Sequence, residues 1–431
     1  LLRTALPSTA PRRALARMST VVDYDRFISP ESRRRQPSAI RAIQPLVKLP
    51  GMISLGGGMP HTSTFPFDRV AINVKGSDDP IVLDGARLQD ALQYSATSGL
   101  DDLVHVLFDL QHREHDTRAR VDGLKLCVTT GSQDALSKAF AAFVAPTDTL
   151  VVEDPTYSGS LAFLHAHGCN LAPVGTDGEG MDTDALERML VDWAGPQPKP
   201  KVVYTIPNGS NPTGASLSEA RRAHLLRLAK EHDLLVLEDD PYYYLQFGGR
   251  RLPSLLRMDT EGRVLRFDSL SKVLSSGLRI GFATGPSPLV ERIELHTQAT
   301  TLHTCGIAQA MVLALFERWG LEGFDAHAHS VASFYEKRCN AFMDAAEKYL
   351  SGLAEWTRPK AGMFLWLKLM GVEDSQSLVQ ERAREAKVLL VPGVAFSPLK
   401  TTGPFVRASF STASEEQAAE ALRRLGDLLR T

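Results

Sequence analysis

The sequence predicts an α/β protein. Its large domain should have a mostly parallel sheet flanked by helices, and its smaller C-terminal domain should also be α/β. Between about residues 124 and 289, short and almost wholly apolar segments alternate with helix-like segments. Apolar strands of this kind are typical of parallel sheets covered on both faces. After residue 289 the pattern changes to long helices and then to a second, smaller group of strands.

Hydrophobic periodicity predicts the individual elements. In the large domain we expect strands at residues 125–129, 150–152, 201–206, 234–237 and 263–268. Four helices are expected between them. The first covers residues 132–144, the second ends at about residue 167, the third begins at residue 182, and the fourth covers residues 218–232. The small domain should have strands at residues 363–369, 388–391 and 405–410, and helices at residues 375–386 and 414–429.

Chain length indicates more than one domain. A chain of 431 residues is long for a single core, so roughly two to three units are expected. We expect a targeting or disordered segment at residues 1–22, an N-terminal arm at residues 23–60, a large domain at residues 61–305 and a small domain at residues 306–431.

The first 22 residues have the composition of a mitochondrial transit peptide. They contain four arginines, together with serine and threonine, and no acidic residue precedes Asp23. Transit peptides share this arginine-rich and acid-poor pattern. We therefore expect a mitochondrial protein, or a cytoplasmic one if this segment is not a transit peptide.

Composition argues against several classes of partner. The formal net charge of -2 gives no electrostatic reason for nucleic-acid binding. No apolar run approaches the ~18 residues that a membrane span needs. The four cysteines lie far apart and form no CxxC pair, so the common zinc spacings are absent from the sequence. We expect no nucleic-acid, membrane or metal partner.

The most informative segment is Ser269-Leu270-Ser271-Lys272, which is followed by Arg279. It comes after a predicted strand, and α/β sheets place ligand sites beyond the carboxyl ends of their strands. The Lys272 amine could form a Schiff base with an aldehyde cofactor. Ser269, Ser271 and Arg279 could donate hydrogen bonds to a phosphate. From this segment alone, a surface lysine in a serine-rich loop is the alternative.

Two turns after predicted strands carry further polar residues. Gly131-Ser132-Gln133 opens a helix whose N–H groups and dipole favour a phosphate, although a plain turn is the alternative. Asn211-Pro212-Thr213-Gly214 fixes a turn from which Asn211 could aim an amide at a ring oxygen. Standing alone, this motif would be an ordinary Asn-Pro turn.

Glu238-Asp239-Asp240-Pro241-Tyr242 ends another apolar strand. A carboxylate here could keep a pyridinium nitrogen protonated, and a tyrosine three residues later could donate to the phenolic oxygen of the ring. Acidic pairs after a strand also bind Mg²⁺, but no phosphate-loop lysine motif accompanies this pair. Asp239 and Asp240 each have a tyrosine three residues later, so spacing alone does not choose between them.

Arg407 lies in a predicted strand among apolar neighbours. A buried arginine in such a strand needs an anionic partner. A substrate carboxylate held bidentately would satisfy it. An internal Asp or Glu would satisfy it equally well.

The order of these elements is more specific than any one of them. Together they resemble the class I/II aminotransferases of the pyridoxal-phosphate fold type I, over nearly the whole chain from about Tyr24. The resemblance implies a fold type I transferase with pyridoxal 5'-phosphate as cofactor. Its substrates would be amino acids and 2-oxo acids.

The resemblance also implies catalytic roles for individual residues. Lys272 would carry the cofactor and then move the Cα proton, and Asp239 would pair with the pyridinium nitrogen. We prefer Asp239 to Asp240 because the shared stretch of the family reads Asp-x-x-Tyr, with the first acid as the ring partner. Tyr157 would stack on the ring.

Further residues would bind the cofactor and the substrate by the same resemblance. Asn211 and Tyr242 would bond the ring oxygen, and Arg407 would bind the substrate α-carboxylate beside Asn211. The residues expected at the phosphate are Ser132, Gln133, Ser269, Ser271 and Arg279. Tyr94 would reach the phosphate of the neighbouring subunit, so the resemblance implies a homodimer with shared active sites.

Within the family, the arm resembles the 2-aminoadipate, kynurenine and aromatic aminotransferase group. The matching stretches are residues 24–28, 37–41, 53–58 and 65–67. In that group, residues at the positions of Arg41 and Gly58 lie beside the substrate side chain. The resemblance implies broad specificity, with 2-oxoglutarate as amino acceptor. The alternative for Arg41 is a solvated residue in a basic segment.

Two other functions compete with transamination. A regulator with a borrowed aminotransferase domain would need a DNA-binding module, and only about 40 residues precede the domain here. A lyase or related fold type I enzyme acting on an α-amino acid would use the same Lys272, Asp239 and Tyr242. The arm favours transamination over that chemistry.

Overall fold

The computed structural model describes residues 22–40, 43, 46, 49–117 and 123–431. It confirms the predicted fold class, because a large and mostly parallel sheet flanked by helices is followed by a smaller domain around a second sheet. The strands of this part of the chain are β1 Arg69–Ile72, β2 Ile81–Asp84, β3 Leu124–Thr129, β4 Thr149–Asp154, β5 Asn170–Asp177, β6 Gly180–Met181, β7 Val202–Thr205, β8 Leu235–Asp239, β9 Val264–Ser269, β10 Gly281–Pro286, β11 Ala354–Trp356, β12 Phe364–Leu369, β13 Val391–Pro392 and β14 Phe405–Ser409.

The helices alternate with these strands in the large domain and dominate the region that follows it. The α-helices of the described residues are Pro30–Arg34, Gly85–Leu92, Asp101–His115, Ser132–Phe143, Ser158–His167, Thr183–Val191, Glu219–Glu231, Leu255–Met258, Ser287–Thr300, Gly306–Leu350, Ser375–Leu378 and Glu415–Leu429. None of them is long and apolar enough to cross a membrane.

The large sheet has the strand order β3-β10-β9-β8-β7-β4-β5-β6. Pairs β9–β8, β8–β7, β7–β4 and β4–β5 are parallel, whereas β10 runs antiparallel to β3 and β9, and β6 runs antiparallel to β5. Because β3, β4, β7, β8 and β9 run in one direction, the loops after them meet at the same edge of the sheet.

Both faces of the large sheet are covered. Helices Ser132–Phe143 and Ser287–Thr300 pack on one face around Phe140, Tyr204 and Phe267. Helices Thr183–Val191 and Glu219–Glu231 pack on the other face. Burial on both sides explains why the central strands are nearly continuous apolar runs.

The small domain has an antiparallel sheet of order β11-β12-β14-β13. The C-terminal part of helix Gly306–Leu350, from Cys339 onward, packs on this sheet together with helix Glu415–Leu429. The long helix is interrupted at Gly320, where the backbone has φ 63 and ψ -178. Its part up to Ala328 packs on the large domain instead. The domain boundary expected after residue 305 falls at the start of this helix, and it stays a prediction.

Parts of the secondary structure differ from the expectation. Strand β10 and the hairpin of β1 and β2 have no counterpart among the predicted elements. The strand predicted at residues 388–391 is wrong for residues 388–390, because Lys387 turns the backbone into the left-handed region at φ 58 and Leu389 points to solvent at 87% exposure. The helix predicted at residues 375–386 begins as expected but continues as a π-helix over Val379–Ala383.

Candidate active site

The candidate site lies at the carboxyl edge of the large sheet. Of the six strands of the described sheet that run in the same direction, β3, β4, β7, β8 and β9 each lead to a segment that carries predicted site residues. The small domain adds Arg407 from β14. Side chains that are far apart in the sequence are therefore brought together by the parallel arrangement of the strands.

Lys272 follows β9 and is half-buried. Burial lowers the pKa of its amine from the ordinary lysine value, and the cationic Arg279 and Arg407 lower it further. No hydrogen bond or ion pair joins Lys272 to another described residue. The amine is therefore free to react and is more easily deprotonated than a surface lysine.

The N-terminus of helix Ser132–Phe143 faces Arg279. Gly131 precedes the helix with φ 80, and a side chain at this position would overlap the Arg279 guanidinium. Arg279 donates to Ser271 Oγ and to the Thr130 carbonyl, each at 3.2 Å. An arginine, a serine hydroxyl and free helical N–H groups thus surround one small space, which suits an anion.

Ser269 and Gln133 lie at the margins of this space. The Ser271 backbone N–H donates to Ser269 Oγ at 3.2 Å. Gln133 Nε2 donates to the Gly159 carbonyl at 3.3 Å, and its buried Oε1 has no partner among the described residues. Ser269 therefore shapes the turn before Lys272, while Gln133 ties helix Ser132–Phe143 to helix Ser158–His167.

Asp239 and Asp240 project to opposite sides of the sheet and have different partners. Asp240 accepts from Arg266 Nη1 at 2.9 Å and from Asn208 Nδ2 at 2.8 Å. Asp239 accepts from the Tyr204 hydroxyl at 2.8 Å and forms no ion pair within the described residues. Each keeps one oxygen that has no partner there, but only Asp240 has a cation beside it.

The Asp239 carboxyl is buried, and burial raises its pKa to about 7. The nearby charges of Asp240 and Glu153 add to this rise, whereas the hydrogen bond from Tyr204 opposes it. A buried carboxylate that lacks a cation is costly. A positively charged group beside Asp239 would therefore stabilise the site.

Tyr157 and Tyr242 lie close to Asp239. Burial raises the pKa of both phenols, and the charge of Asp239 is the next largest cause for each. Tyr242 is buried and packs edge-to-face on Phe364, with ring centroids 5.9 Å apart. Tyr157 is half-buried and stands at the N-cap of helix Ser158–His167. Both rings thus share the surroundings of the same carboxylate.

Arg407 extends from the small domain toward the large one. Its Nη1 donates to Asn211 Oδ1 at 2.8 Å. Its guanidinium carbon lies 4.4 Å from the Phe364 ring centroid and 5.0 Å from that of Phe396. The buried Nε has no partner among the described residues, and no internal Asp or Glu pairs with this arginine there.

The remaining predicted residues lie apart from this cluster. Tyr94 is 51% exposed, and its ring packs edge-to-face on His303 with centroids 5.9 Å apart. Gly58 lies in an exposed segment, with open space around its Cα. Arg41 falls outside the described residues.

Sequence reasoning missed three features of the site. Tyr204 binds Asp239, Arg266 holds Asp240, and the rings of Phe364 and Phe396 enclose Arg407. A tyrosine in the apolar strand β7 and an arginine in the buried strand β9 were available signals, because each needs a polar partner when buried.

Comparison with known proteins gives the family. The model of the aminotransferase class I and II family matches residues 66–425 of the chain. The chain belongs to this family. The enzyme is therefore an aminotransferase, and its cofactor is pyridoxal phosphate. The family and the relatives support transamination and give no support to the lyase alternative.

Curated relatives of this aminotransferase match nearly its whole length. The mitochondrial kynurenine/alpha-aminoadipate aminotransferase of Bos taurus is 43% identical, over 95% of this chain and 99% of that protein. The aminotransferase tdiD of Emericella nidulans is 39% identical, over 95% and 97%. An aromatic amino acid aminotransferase of Dictyostelium discoideum is 33% identical, over 95% and 88%.

Solved structures agree with the fold of this aminotransferase. The aminotransferase Aro8 of Candida albicans superposes with a TM-score of 0.86 at 27% identity, covering 95% of this chain and 98% of that one. The kynurenine aminotransferase of Pyrococcus horikoshii, solved in complex with PMP and kynurenine, has a TM-score of 0.75 at 30% identity over the same shares.

Proposed function

We propose that this aminotransferase moves the amino group of kynurenine, 2-aminoadipate or an aromatic amino acid to 2-oxoglutarate, with broad specificity. The names of the Bos taurus and Dictyostelium discoideum relatives support these donors. One observation carries the proposal. Arg407 presents a guanidinium that has no anionic partner among the described residues, and it does so beside Asn211 in a site that contains Lys272.

The residues present fit pyridoxal phosphate. When bound, this cofactor supplies an electron-poor pyridinium ring that stabilises negative charge at the substrate Cα. Lys272 would hold it through the amine, since the lowered pKa of this group favours the neutral and nucleophilic form. In the same active site, Lys272 Nζ would then take the proton from the substrate Cα.

Asp239 would pair with the ring nitrogen. This assignment is supported because Asp239 lacks a cationic partner, whereas Asp240 is already paired with Arg266. Tyr242 and the Asn211 amide would donate to the ring oxygen, since neither donor has another acceptor among the described residues. Tyr157 would cover one face of the ring.

The phosphate would lie at the N-terminus of helix Ser132–Phe143. The helical N–H groups, together with Ser271 and Arg279, provide the convergent donors. Ser132, Gln133 and Ser269 would complete this pocket. The charge of Arg279 in this pocket adds to burial in lowering the pKa of Lys272.

Arg407 would receive the α-carboxylate of both the amino acid and the oxo acid. A planar guanidinium binds a carboxylate through two parallel hydrogen bonds. The guanidinium packs against the rings of Phe364 and Phe396. The hydrogen bond to Asn211 would keep Nη1 of the guanidinium oriented until substrate binds.

The arm would set the choice of side chain, through Arg41 and Gly58. Apolar arm residues are unusually exposed in a single chain, with Ile53 at 87% and Leu55 at 97% exposure. Exposed apolar patches of this kind mark interaction surfaces. We therefore propose a homodimer in which Tyr94 reaches the phosphate site of the partner.

A mitochondrial location is part of the proposal. Three curated relatives are named as mitochondrial enzymes, and the first 22 residues are rich in arginine and free of acidic residues. Fusion of residues 1–22 to a fluorescent protein tests it. Diffuse cytoplasmic fluorescence would contradict the location without affecting the enzymatic assignment.

An amino-donor panel tests the substrate assignment. Purified enzyme is supplied with 2-aminoadipate, kynurenine, phenylalanine, tyrosine or leucine, with 2-oxoglutarate as acceptor, and glutamate is measured. We expect glutamate from the first four donors. Activity with leucine alone would contradict the proposed donor class, and ammonia without glutamate would contradict transamination to 2-oxoglutarate.

A further inference from the structure

We propose that Tyr204 is a positioning residue for Asp239: its hydroxyl fixes the carboxylate so that the other oxygen faces the pyridine nitrogen of the cofactor. This inference rests on the proposed pairing of Asp239 with that nitrogen. Tyr204 itself touches neither cofactor nor substrate in this assignment. It acts through the orientation and the charge of Asp239.

A directed chain of hydrogen bonds carries the inference. Ser160 Oγ donates to the Tyr204 hydroxyl at 3.0 Å, and Tyr204 donates to Asp239 Oδ2 at 2.8 Å. Because the Tyr204 oxygen accepts from Ser160, its own proton is directed to Asp239. Oδ1 of Asp239 is left without a partner in the described part of the chain.

Tyr204 cannot easily leave this position. Its side chain is fully buried in β7, one strand from Asp239. The ring packs edge-to-face on Phe140, with centroids 5.4 Å apart. A carboxylate held by such a rigid donor cannot rotate freely about its last bond, so Oδ1 stays available for one direction of approach.

The surroundings of Asp239 disfavour its ionised form, so the hydrogen bond from Tyr204 is important for keeping the carboxyl ionised. Burial and the negative charges of Asp240 and Glu153 raise its pKa to about 7, while Tyr204 and the more distant Arg266 lower it. The titratable or charged groups that face Asp239 are Tyr204, Tyr157, Tyr242, Asp240, Glu153 and Arg266. Only Tyr204 among them donates a hydrogen bond to it in the described structure.

Two consequences follow for cofactor binding. Without the hydroxyl, Asp239 would become protonated at a higher pH, and a protonated carboxyl cannot pair with a pyridinium. The carboxyl could also rotate, which would weaken the geometry of that pair. Both effects should weaken cofactor binding most strongly at the acidic end of the pH range.

Tyr204→Phe tests the inference because it removes the hydroxyl and keeps the ring. We would measure the dissociation constant of pyridoxal phosphate between about pH 6 and pH 9, and the ¹⁵N resonance of the ring nitrogen in ¹⁵N-labelled cofactor. We expect the acidic loss of affinity to move up by roughly one pH unit, and the protonated-nitrogen signal to be lost at a correspondingly higher pH.

Two further variants provide an intermediate case and a control. Ser160→Ala keeps Tyr204 but removes its donor, so a smaller shift in the same direction is expected. Tyr244→Phe is the matched control, since Tyr244 is also buried and its hydroxyl has no partner among the described residues. It should match the wild type in both measurements.

Asp239→Asn separates this inference from the proposed function. If that variant leaves affinity and the ¹⁵N signal unchanged, the pairing of Asp239 is wrong and the role of Tyr204 is overturned with it. If Asp239→Asn weakens binding while Tyr204→Phe matches the Tyr244→Phe control, only the role of Tyr204 is overturned. Should Tyr204→Phe not fold, an unshifted pH profile in Ser160→Ala overturns it.

Discussion

Replacing Arg407 by lysine keeps a positive charge but removes the planar fork. The guanidinium donates to Asn211 at 2.8 Å and lies 4.4 Å and 5.0 Å from the ring centroids of Phe364 and Phe396. A lysine ammonium cannot form two parallel bonds to a carboxylate or stack flat between rings. Loss of one hydrogen bond to a charged group costs about 1.5–3 kcal/mol, which lowers kcat/KM roughly 10- to 150-fold.

The assay compares ligands with and without the carboxylate. We would measure kcat/KM for kynurenine and 2-oxoglutarate in Arg407→Lys, together with the binding of the α-carboxamide of the amino donor. The carboxamide has no charge to lose, so its affinity should change far less than that of the carboxylate. Arg423→Lys is the control, because Arg423 is exposed on helix Glu415–Leu429 and its ion-pair partners in the described part of the chain belong to that same helix.

Two results would refute this reasoning. Unchanged kcat/KM in Arg407→Lys would remove the proposed contact with substrate. Equal losses for the carboxylate and the carboxamide would show that Arg407 supports the fold of the site and does not recognise charge. Melting temperature and cofactor affinity, measured in parallel, separate the second case from general destabilisation.

Three further predictions address chemistry and stability. Lys272→Ala should abolish turnover and the absorbance of lysine-bound cofactor, and full activity would contradict the assignment. Arg266→Met should lower the free energy of unfolding by about 3–5 kcal/mol in urea, since it leaves Asp240 and Asp268 buried without their cation; an unchanged midpoint would contradict this. His296 is buried, and burial lowers its pKa to about 4. Between pH ~6.5 and pH 4, the unfolded chain therefore binds a proton at this residue that the folded chain does not bind. Wild type should therefore lose up to about 3 kcal/mol of stability relative to His296→Gln between pH 6.5 and pH 4, and parallel urea curves across this range would contradict it.

Much of the fold was predictable from local pattern. The strands that lead to Ser132, Asn211 and Asp239 are short apolar runs, and the strand that leads to Lys272 alternates apolar and polar residues. Each is followed by a polar turn. Because parallel strands share one carboxyl edge, such turns are expected to converge. The convergence of these side chains in the structure follows from that rule.

Other parts depend on pairing between distant residues. Strand β10 lies between β3 and β9 and runs against both, and no local signal gives its neighbours. The different partners of Asp239 and Asp240 also depend on residues that are distant in the sequence. These residues are Tyr204, one strand away, and Arg266, in the strand on the other side, so sequence spacing could not distinguish the two acids.

The Arg407–Asn211 hydrogen bond joins the cores of the two domains, because Arg407 belongs to the small sheet and Asn211 to a loop of the large one. A substrate that bridges these two residues binds only when both cores are intact and docked. By mass action it stabilises that joined state alone. Amino and oxo acids are therefore expected to raise the melting temperature of the whole enzyme, and not only that of the domain that supplies Arg407.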